Sequence, residues 1–500
     1  MALTFAGGLL QASTLWWMVP SSFLAWILGV ALYRLLFHPL ASYPGPILCA
    51  VTDVPDIYYA CTGTAPRKGA DLHQRYGPVV RIAPNKLSYI DEGAWKDIHG
   101  KSLGEKQLAK SPDFMPTKAP NGAQGLVFAR RDEDHARLRR QFSHGFSDKA
   151  LREQQVILLK HFNIWIDKLG QQQSEPVNMM KWYQLATFDI IGDLTFGEGF
   201  GCLESSELHG WIKNVFYIVK ALYVLGHVRK LFRLDKIMLW VLTSNLMPLK
   251  RNSHRELITS KIDRRLQLET SRPDLMTYVI KNMDSTKNIT YDEMQMTASN
   301  FLMAGAETTA MLLAGATYYM LRNRPVYKKL KDEIRSTFTA DHQITIDGTR
   351  DLSYLHAVIQ EGFRMFPPVP ATLPRLTPPE GHVIAGKYVA GDTTVLVNQW
   401  AAYRSPVHFR EPEQFVPERW LGNSLYSQDK FGVVQPFSVG PRNCIGKHLA
   451  YAEIKLALAK LIWHFDLELA GEEGNWVDDT KIFGTFEKTP LMVRLRPVTR

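Results

Sequence analysis

Phe437-Ser438-Val439-Gly440-Pro441-Arg442-Asn443-Cys444-Ile445-Gly446 surrounds one cysteine with residues at the spacing Phe-x-x-Gly-x-Arg-x-Cys-x-Gly. Gly440 and Pro441 predict a tight loop whose backbone N–H groups can donate hydrogen bonds to the cysteine sulfur. Apolar residues then recur at helical spacing, so Cys444 is expected at a helix N-terminus, where the helix dipole favours a thiolate. The pattern therefore predicts that the pKa of Cys444 is lowered.

The residues on either side of Cys444 suit a flat macrocycle that carries iron at its centre. Gly446 would let the start of the helix approach a haem, Phe437 would shield the iron–sulfur bond from water, and Arg442 could neutralise a haem propionate. With Gly440 shaping the loop and Cys444 as axial iron ligand, the segment predicts a haem-thiolate site. The competing interpretation is an ordinary strand-turn-helix that contains a buried cysteine.

A second group of residues, Ala304-Gly305-Ala306-Glu307-Thr308-Thr309, lies in a long helical pattern that opens with the capping-box sequence Thr290-Tyr291-Asp292-Glu293. Between residues 294 and 321 the only charged side chain is Glu307. A carboxylate in such an apolar helix is costly unless it has a partner or a chemical task. Taken alone, the segment is also compatible with a core helix or with a membrane span.

These segments resemble those of the cytochrome P450 family of haem-thiolate monooxygenases. Residues 437–446 are similar to its haem-binding loop, and residues 304–309 to its Ala-Gly-x-Glu/Asp-Thr-Thr segment. Glu361-Gly362-Phe363-Arg364 and Pro417-Glu418-Arg419-Trp420 are similar to its Glu-x-x-Arg and Pro-Glu-Arg-aromatic segments. The resemblance covers most of residues 38–500 and implies the family fold, mainly α with small β-sheets.

The resemblance also implies roles on the oxygen-binding side of the haem. The Thr308 hydroxyl would hydrogen-bond the distal oxygen, Glu307 would supply protons from solvent, and Gly305 would widen the helix groove beside the iron. Substrate contacts are expected near residues 111–125, 301–309, 369–373 and 484–486.

Two further sets of charged residues follow from the resemblance. Glu361, Arg364 and Arg419 would form a buried charged triad, tolerable because every charge has a partner. The helix that usually offers Trp-x-x-x-Arg to the propionates reads His135-Ala136-Arg137-Leu138-Arg139 here, so His135 replaces the tryptophan. Arg139 and Arg375 are expected at the propionates, whereas a lone histidine such as His135 is more often structural.

The implied cofactor is haem b, iron protoporphyrin IX, with electrons from NADPH delivered by an external flavoprotein reductase, NADPH-cytochrome P450 reductase; cytochrome b5 is a further candidate donor. The expected reaction is hydroxylation or epoxidation of a lipophilic small molecule. Residues 142–151 and 188–197 resemble filamentous-fungal members of secondary metabolism, such as isotrichodermin hydroxylase-like enzymes. The alternatives are a haem-thiolate isomerase or dehydratase, a desaturase or ring-forming oxidase, and a non-catalytic haem-binding protein; the Glu307-Thr308 pair weighs against the isomerase or dehydratase.

Composition agrees with one large, mainly helical domain. The chain has 500 residues, 45% hydrophobic and 22% charged, and neither a repeat nor a linker divides it. Its four cysteines have no metal-type or closely paired spacing, which is compatible with a reducing compartment. The net charge of +10 is not accompanied by a nucleic-acid motif, so a membrane and an acidic redox partner explain it better.

The N-terminus predicts a membrane anchor. No Lys, Arg, Asp or Glu precedes Arg34, and residues 14–33 are rich in large apolar side chains despite Pro20. The positive-inside rule then places the main body in the cytosol and indicates a single-pass endoplasmic reticulum protein. A cleaved secretory peptide is the alternative, but the basic n-region is missing. The predicted organisation is an anchor at 1–37, a proline-rich hinge at 38–46 and a haem-thiolate catalytic domain at 47–500.

Overall fold

The structure is a computed structural model that describes residues 2–100, 107–112, 122–172, 175–210, 217, 219–221, 223–228, 251–268, 272–280, 289–471 and 474–499. Residues 113–121, the central part of the first segment expected to line the substrate pocket, lie outside the described residues. The predicted architecture, mainly helical with small sheets, is confirmed.

The helices account for most of the described chain. Their bounds are α1 (Ala2–Leu36), α2 (Ile47–Val51), α3 (Val54–Thr62), α4 (Ala65–Tyr76), α5 (Glu92–His99), α6 (Asp132–Ser143), α7 (Asp148–Gly170), α8 (Met179–Phe196), α9 (Cys202–Ser205), α10 (Arg251–Gln267), α11 (Thr277–Ile280), α12 (Tyr291–Arg322), α13 (Arg324–Thr337), α14 (Ser353–Met365), α15 (Gln399–Tyr403), α16 (Lys447–His464) and α17 (Trp476–Asp479).

The strands form four small sheets. The largest has the order β1-β2-β8-β5-β3, in which β2 and β8 are parallel and the other neighbours are antiparallel. A second sheet has the order β4-β12-β9, and β6-β7 and β10-β11 are hairpins. Their bounds are β1 (Val79–Ala83), β2 (Lys86–Tyr89), β3 (Ala109–Lys110), β4 (Val177–Asn178), β5 (Arg375–Leu376), β6 (His382–Ile384), β7 (Lys387–Val389), β8 (Thr394–Val397), β9 (Phe465–Leu469), β10 (Ile482–Phe483), β11 (Thr485–Phe486) and β12 (Met492–Pro497).

Helix α12 is the central helix of the core. Its predicted capping box is confirmed: Thr290 Oγ1 accepts from Glu293 N at 3.2 Å, and Glu293 Oε2 accepts from Thr290 N at 3.0 Å. The helix packs against α8, α14 and α16, and most of its residues are buried. The apolar run from 294 to 321 therefore belongs to the protein core, and its interpretation as a membrane span is wrong.

Helix α1 contains the apolar stretch predicted as an anchor. Met18–Leu36 is long and apolar enough to cross a membrane and is not buried by the domain. This stretch begins and ends a few residues after the predicted span of 14–33. The segment at 38–46 is packed rather than loose, because Leu40 is fully buried and Tyr43 donates to the Tyr388 carbonyl at 2.7 Å.

The structure brings Glu361, Arg364 and Arg419 together, and all three side chains are fully buried. Arg364 Nη2 and Arg419 Nε donate to Glu361 Oε1 at 2.7 and 3.1 Å. Arg419 also pairs with Asp429, a second carboxylate that the sequence analysis missed. Trp420 Nε1 donates to Glu361 Oε2 at 2.9 Å, so every charge in the group has a partner.

Replacing Glu361 by Gln should destabilise the protein by roughly 3–5 kcal/mol, because two buried guanidinium groups lose their shared carboxylate. The denaturation midpoint of the haem-loaded chain measures this loss. Glu418→Gln is the matched control: Glu418 pairs at 2.6 Å with the exposed Lys329, and such surface pairs contribute about 0–1 kcal/mol. Equal losses in the two variants would contradict the assigned role of the buried group.

Candidate active site

The loop that carries Cys444 is held by backbone geometry. Gly440 has φ of +77° and Ser438 has φ of +59°, both in the left-handed region. A Cβ on Gly440 would overlap the backbone carbonyl of His99, so this position accepts only glycine. Cys444 N donates to the Phe437 carbonyl at 2.8 Å, which closes the loop directly before α16.

The Cys444 sulfur borders an internal space. The side chain has free surface, yet protein surrounds it closely enough that burial raises the pKa of its thiol. The Gly446 N–H and the charges of Arg139 and Lys447 oppose this shift. The expectation of a lowered pKa is therefore wrong, because burial outweighs the helix start. The stabilising N–H belongs to Gly446 rather than to the loop at Gly440 and Pro441.

Two further positions of the loop have defined surroundings. The Phe437 ring lies between Phe363 and Tyr451, with ring centroids 5.1 and 5.3 Å away. A Cβ on Gly446 would make ordinary contacts with Phe146 Cε1 at 3.7 Å and Cys444 Sγ at 3.9 Å. The protein itself therefore does not demand glycine at 446, whereas the close approach of a flat ligand beside the sulfur would.

The segment of α12 around Thr308 also faces free space. Ala304 is exposed although it lies in the middle of a core helix, and Thr308 is half-buried. Thr308 Oγ1 donates to the Ala304 carbonyl at 2.7 Å. Phe146 links this helix to the cysteine loop, since its ring lies 5.2 Å from that of Phe301 and also contacts the Gly446 position.

Gly305 has a different neighbour from the one expected. A Cβ at this position would lie 2.9 Å from Cγ1 and Cδ1 of Ile191 on α8. The glycine therefore permits close packing of α12 on α8. Helix α12 continues as a regular helix through residues 304–309, and the expected role of Gly305 beside an iron stays a prediction.

Glu307 is buried and forms an ion pair with Lys488, which follows β11. Burial raises the pKa of its carboxyl, and Lys488 and then Gln184 oppose the shift. From the sequence, Glu307 is expected to supply protons from solvent. In the structure, its connection toward the surface runs through the partly exposed Lys488.

Comparison with known proteins identifies the family. The family model described as Cytochrome P450 matches residues 59–493. The chain belongs to the cytochrome P450 family. Among its relatives, cytochrome P450 monooxygenase aclL of Aspergillus oryzae is 41% identical over 94% of this chain and 96% of that protein. Averantin hydroxylase of Dothistroma septosporum is 40% identical over 95% of this chain and 90% of that protein. Trichothecene C-15 hydroxylase of Fusarium sporotrichioides is 37% identical over 95% of this chain and 96% of that protein.

Membership of the cytochrome P450 family makes this chain a haem-dependent monooxygenase. The three relatives cover nearly the whole chain, so the match is not confined to the cysteine segment. The predicted resemblance to fungal members of secondary metabolism is confirmed.

Two buried donors of this cytochrome P450 fit an anionic ligand. Arg375 Nε lies 3.5 Å from His99 Nδ1, and both side chains are buried. Within the described part of the chain, Arg375 Nη1 and His99 Nε2 have no hydrogen-bond partner. Burial and the charge of Arg375 lower the pKa of His99 to about 3, so the ring is neutral. Haem propionates would satisfy donors of this kind.

Other cations crowd the same region. Burial, Arg442 and Arg375 lower the pKa of Lys110 to about 6. Burial, Arg442 and Lys110 lower the pKa of His135 to about 3, and burial and Arg442 lower that of Arg375 to about 10. These groups repel one another, and the negative charges of two propionates would relieve that repulsion.

Arg442 and Arg139 both connect the cysteine loop to neighbouring parts of the protein. Arg442 donates to Gln107 Oε1 at 3.0 Å and pairs with Asp132 at 2.9 Å, so its guanidinium ties the cysteine loop to the start of α6. Arg139 donates to the carbonyl and side chain of Asn443 at 2.7 and 2.6 Å. Its charge lies beside the sulfur, and the expected contacts of both arginines with the propionates stay predictions.

Sequence reasoning missed several residues of this site. His99, Lys110 and Lys488 stand in segments without a motif, and Glu453 is a buried residue of α16. Burial raises the pKa of Glu453 to about 8, opposed by a hydrogen bond with Thr309. The one signal in the sequence was that Glu453 is a charged residue among the regularly spaced apolar residues of α16.

Replacing Gly440 by Ala should remove most of the bound haem, because the new Cβ overlaps the His99 carbonyl. Gly422→Ala is the matched control, since Gly422 has φ of +75° and nothing within 4 Å of its Cβ position. The control variant should therefore lose only about 1–2 kcal/mol of stability, through strain of its left-handed backbone. Haem bound per chain, measured after purification, distinguishes the two; equal haem content in both variants would contradict the close contact.

Proposed function

We propose that this cytochrome P450 is an endoplasmic reticulum enzyme that hydroxylates or epoxidises a lipophilic small molecule, an intermediate of fungal secondary metabolism. The observation that carries the proposal is the free surface of Cys444 in a loop that Phe146 connects to the helix of Thr308. The names of the relatives, among them averantin and trichothecene hydroxylases, support the reaction and the substrate class.

The proposed cofactor is haem b, whose iron the Cys444 sulfur would hold. Arg375, His99 and Lys110 would hold the propionates, Arg442 would add positive charge nearby, and the neutral ring of His135 could donate a hydrogen bond. When bound, the haem supplies the redox-active iron at which dioxygen is activated. Arg139 and the Gly446 N–H stabilise negative charge on the sulfur, as their effects on the pKa of Cys444 support.

In the proposed reaction, Thr308 and Glu307 manage protons. The Thr308 hydroxyl, which donates to the Ala304 carbonyl in this structure, can rotate toward the free space beside it and donate there. Glu307, one position earlier on α12, would renew protons as a buried acid. Burial excludes bulk water from this step, because most of the surrounding side chains on α12 and α8 are apolar and buried.

Electrons are proposed to come from NADPH through a separate flavoprotein reductase, with cytochrome b5 as a second donor. Of the five arginines between 130 and 140, Arg137 pairs with Glu293 at 2.6 Å and Arg139 is committed to Asn443. Arg130, Arg131 and Arg140 are exposed, close in sequence to Arg139 at the cysteine loop. They provide a cationic surface for an acidic partner.

The proposed location follows from α1. The span Met18–Leu36 would anchor the chain, and the catalytic domain would lie on the cytosolic side of the endoplasmic reticulum membrane. The packing of Leu40 and Tyr43 against the domain supports a fixed orientation on the membrane.

Heavy-isotope dioxygen tests the proposed reaction. Membranes that contain the chain and a fungal reductase are supplied with NADPH, labelled dioxygen and a metabolite extract from a strain lacking the gene. We expect a product that carries one heavy oxygen atom, identified by mass spectrometry, and none with Cys444→Ala. A new product without heavy oxygen would contradict oxygen insertion and favour isomerisation, dehydration, desaturation or ring closure.

Thr308→Ala should uncouple NADPH oxidation from product formation about ten-fold or more, because the hydroxyl donor is lost while reduction of the haem continues. Thr308→Ser, which retains the hydroxyl, is the matched control and should remain close to wild type. The measurement is product formed per NADPH consumed. Unchanged coupling in Thr308→Ala would exclude the hydroxyl from proton delivery.

A further inference from the structure

Lys488 is the charged group that contacts the buried acid Glu307. Their side chains are 23% and 8% exposed, so the ion pair extends from the partly accessible C-terminal region into the core. Lys488 Nζ pairs with Glu307 Oε2, whereas Glu307 Oε1 has no hydrogen-bond partner within the described residues. One oxygen is therefore anchored and the other is uncommitted.

The segment that presents Lys488 is itself held in place. Phe486 stacks on Phe366 at 4.1 Å between ring centroids, and Lys488 Nζ lies 3.5 Å from the Phe486 carbonyl. The neighbouring Glu487 pairs with Lys220, whose ammonium group lies 4.1 Å from the centroid of the Phe483 ring. The position of the Lys488 charge thus follows from packing around β11.

Among the described residues, Lys488 is the one cation that acts on Glu307. Helix α8 contributes Gln184, a polar but uncharged side chain. Helix α16 directs its buried acid Glu453 to Thr309 instead. On α14, Glu361 and Arg364 are paired with each other and with other partners. Burial raises the pKa of Glu307, and the Lys488 charge is the largest effect that opposes it.

We propose that Lys488 is a positioning residue for Glu307: it holds the carboxyl against the segment after β11 and favours its ionised form. This role rests on the proposed function, in which Glu307 renews protons for Thr308. The ammonium charge stabilises the carboxylate over the neutral acid. Removing that charge should therefore move the ionisation of Glu307 to higher pH.

The test is an infrared pH titration of the full-length, haem-loaded protein, which needs no substrate. The carboxyl band of Glu307 is assigned by its absence in Glu307→Gln. In Lys488→Met we expect the midpoint of this band to rise by about one to three pH units, the size typical of a lost ion pair. Lys488→Arg, which keeps the charge, should stay near the wild-type midpoint.

Lys220→Met is the matched control, because it breaks the neighbouring Lys220–Glu487 pair without touching Glu307. It should leave the midpoint unchanged. An unchanged midpoint in Lys488→Met, or an equal rise in Lys220→Met, would overturn the proposal. If Lys488→Met does not retain haem, Lys488→Gln is titrated by the same criterion.

The same variants separate this inference from the proposed function. If Glu307→Gln leaves product formed per NADPH unchanged, Glu307 does not renew protons, whatever the titration shows. If Glu307→Gln uncouples the reaction but Lys488→Met leaves the midpoint unchanged, the function stands and the role of Lys488 fails.

Discussion

The close approach of Gly440 to the His99 carbonyl fixes the loop on which the site is built. It sets the left-handed turn, and the turn places Cys444 immediately before α16 with its sulfur at an enclosed space. His99 also contacts Arg375 through its side chain. This residue therefore connects the cysteine loop to the cationic side of the site. A small shift of this loop would therefore alter both the sulfur and the charges that surround the cofactor.

The buried charges of this protein fall into two kinds. Glu361, Arg364 and Arg419, with Asp429, satisfy one another and support the fold. Around Arg375 and Lys110, cations are in excess and some donors lack partners in the described chain, which is unfavourable until an anion binds. The group around Glu361 needs no ligand, whereas the group around Arg375 is complete only when an anion is bound.

Local patterns predicted much of this structure. The capping box at Thr290 and the turn at Gly440 depend on spacings of a few residues, whereas the buried triad was expected only from the resemblance to a family. The neighbours of Gly305 and Arg442 in the structure, Ile191 and Asp132, could not be predicted, because they come from distant parts of the chain. The pKa of Cys444 was misjudged for the same reason: the helix start is visible in the sequence, but enclosure by the rest of the fold is not.

The central claim is that Cys444 binds haem iron as a thiolate. The most direct measurement is the absorption spectrum of the reduced, haem-loaded chain with carbon monoxide. A band at the long wavelength characteristic of thiolate ligation, absent in Cys444→Ala, is the predicted result. A band at the shorter wavelength of a neutral ligand in the native protein, or a thiolate band that persists without Cys444, would contradict the account.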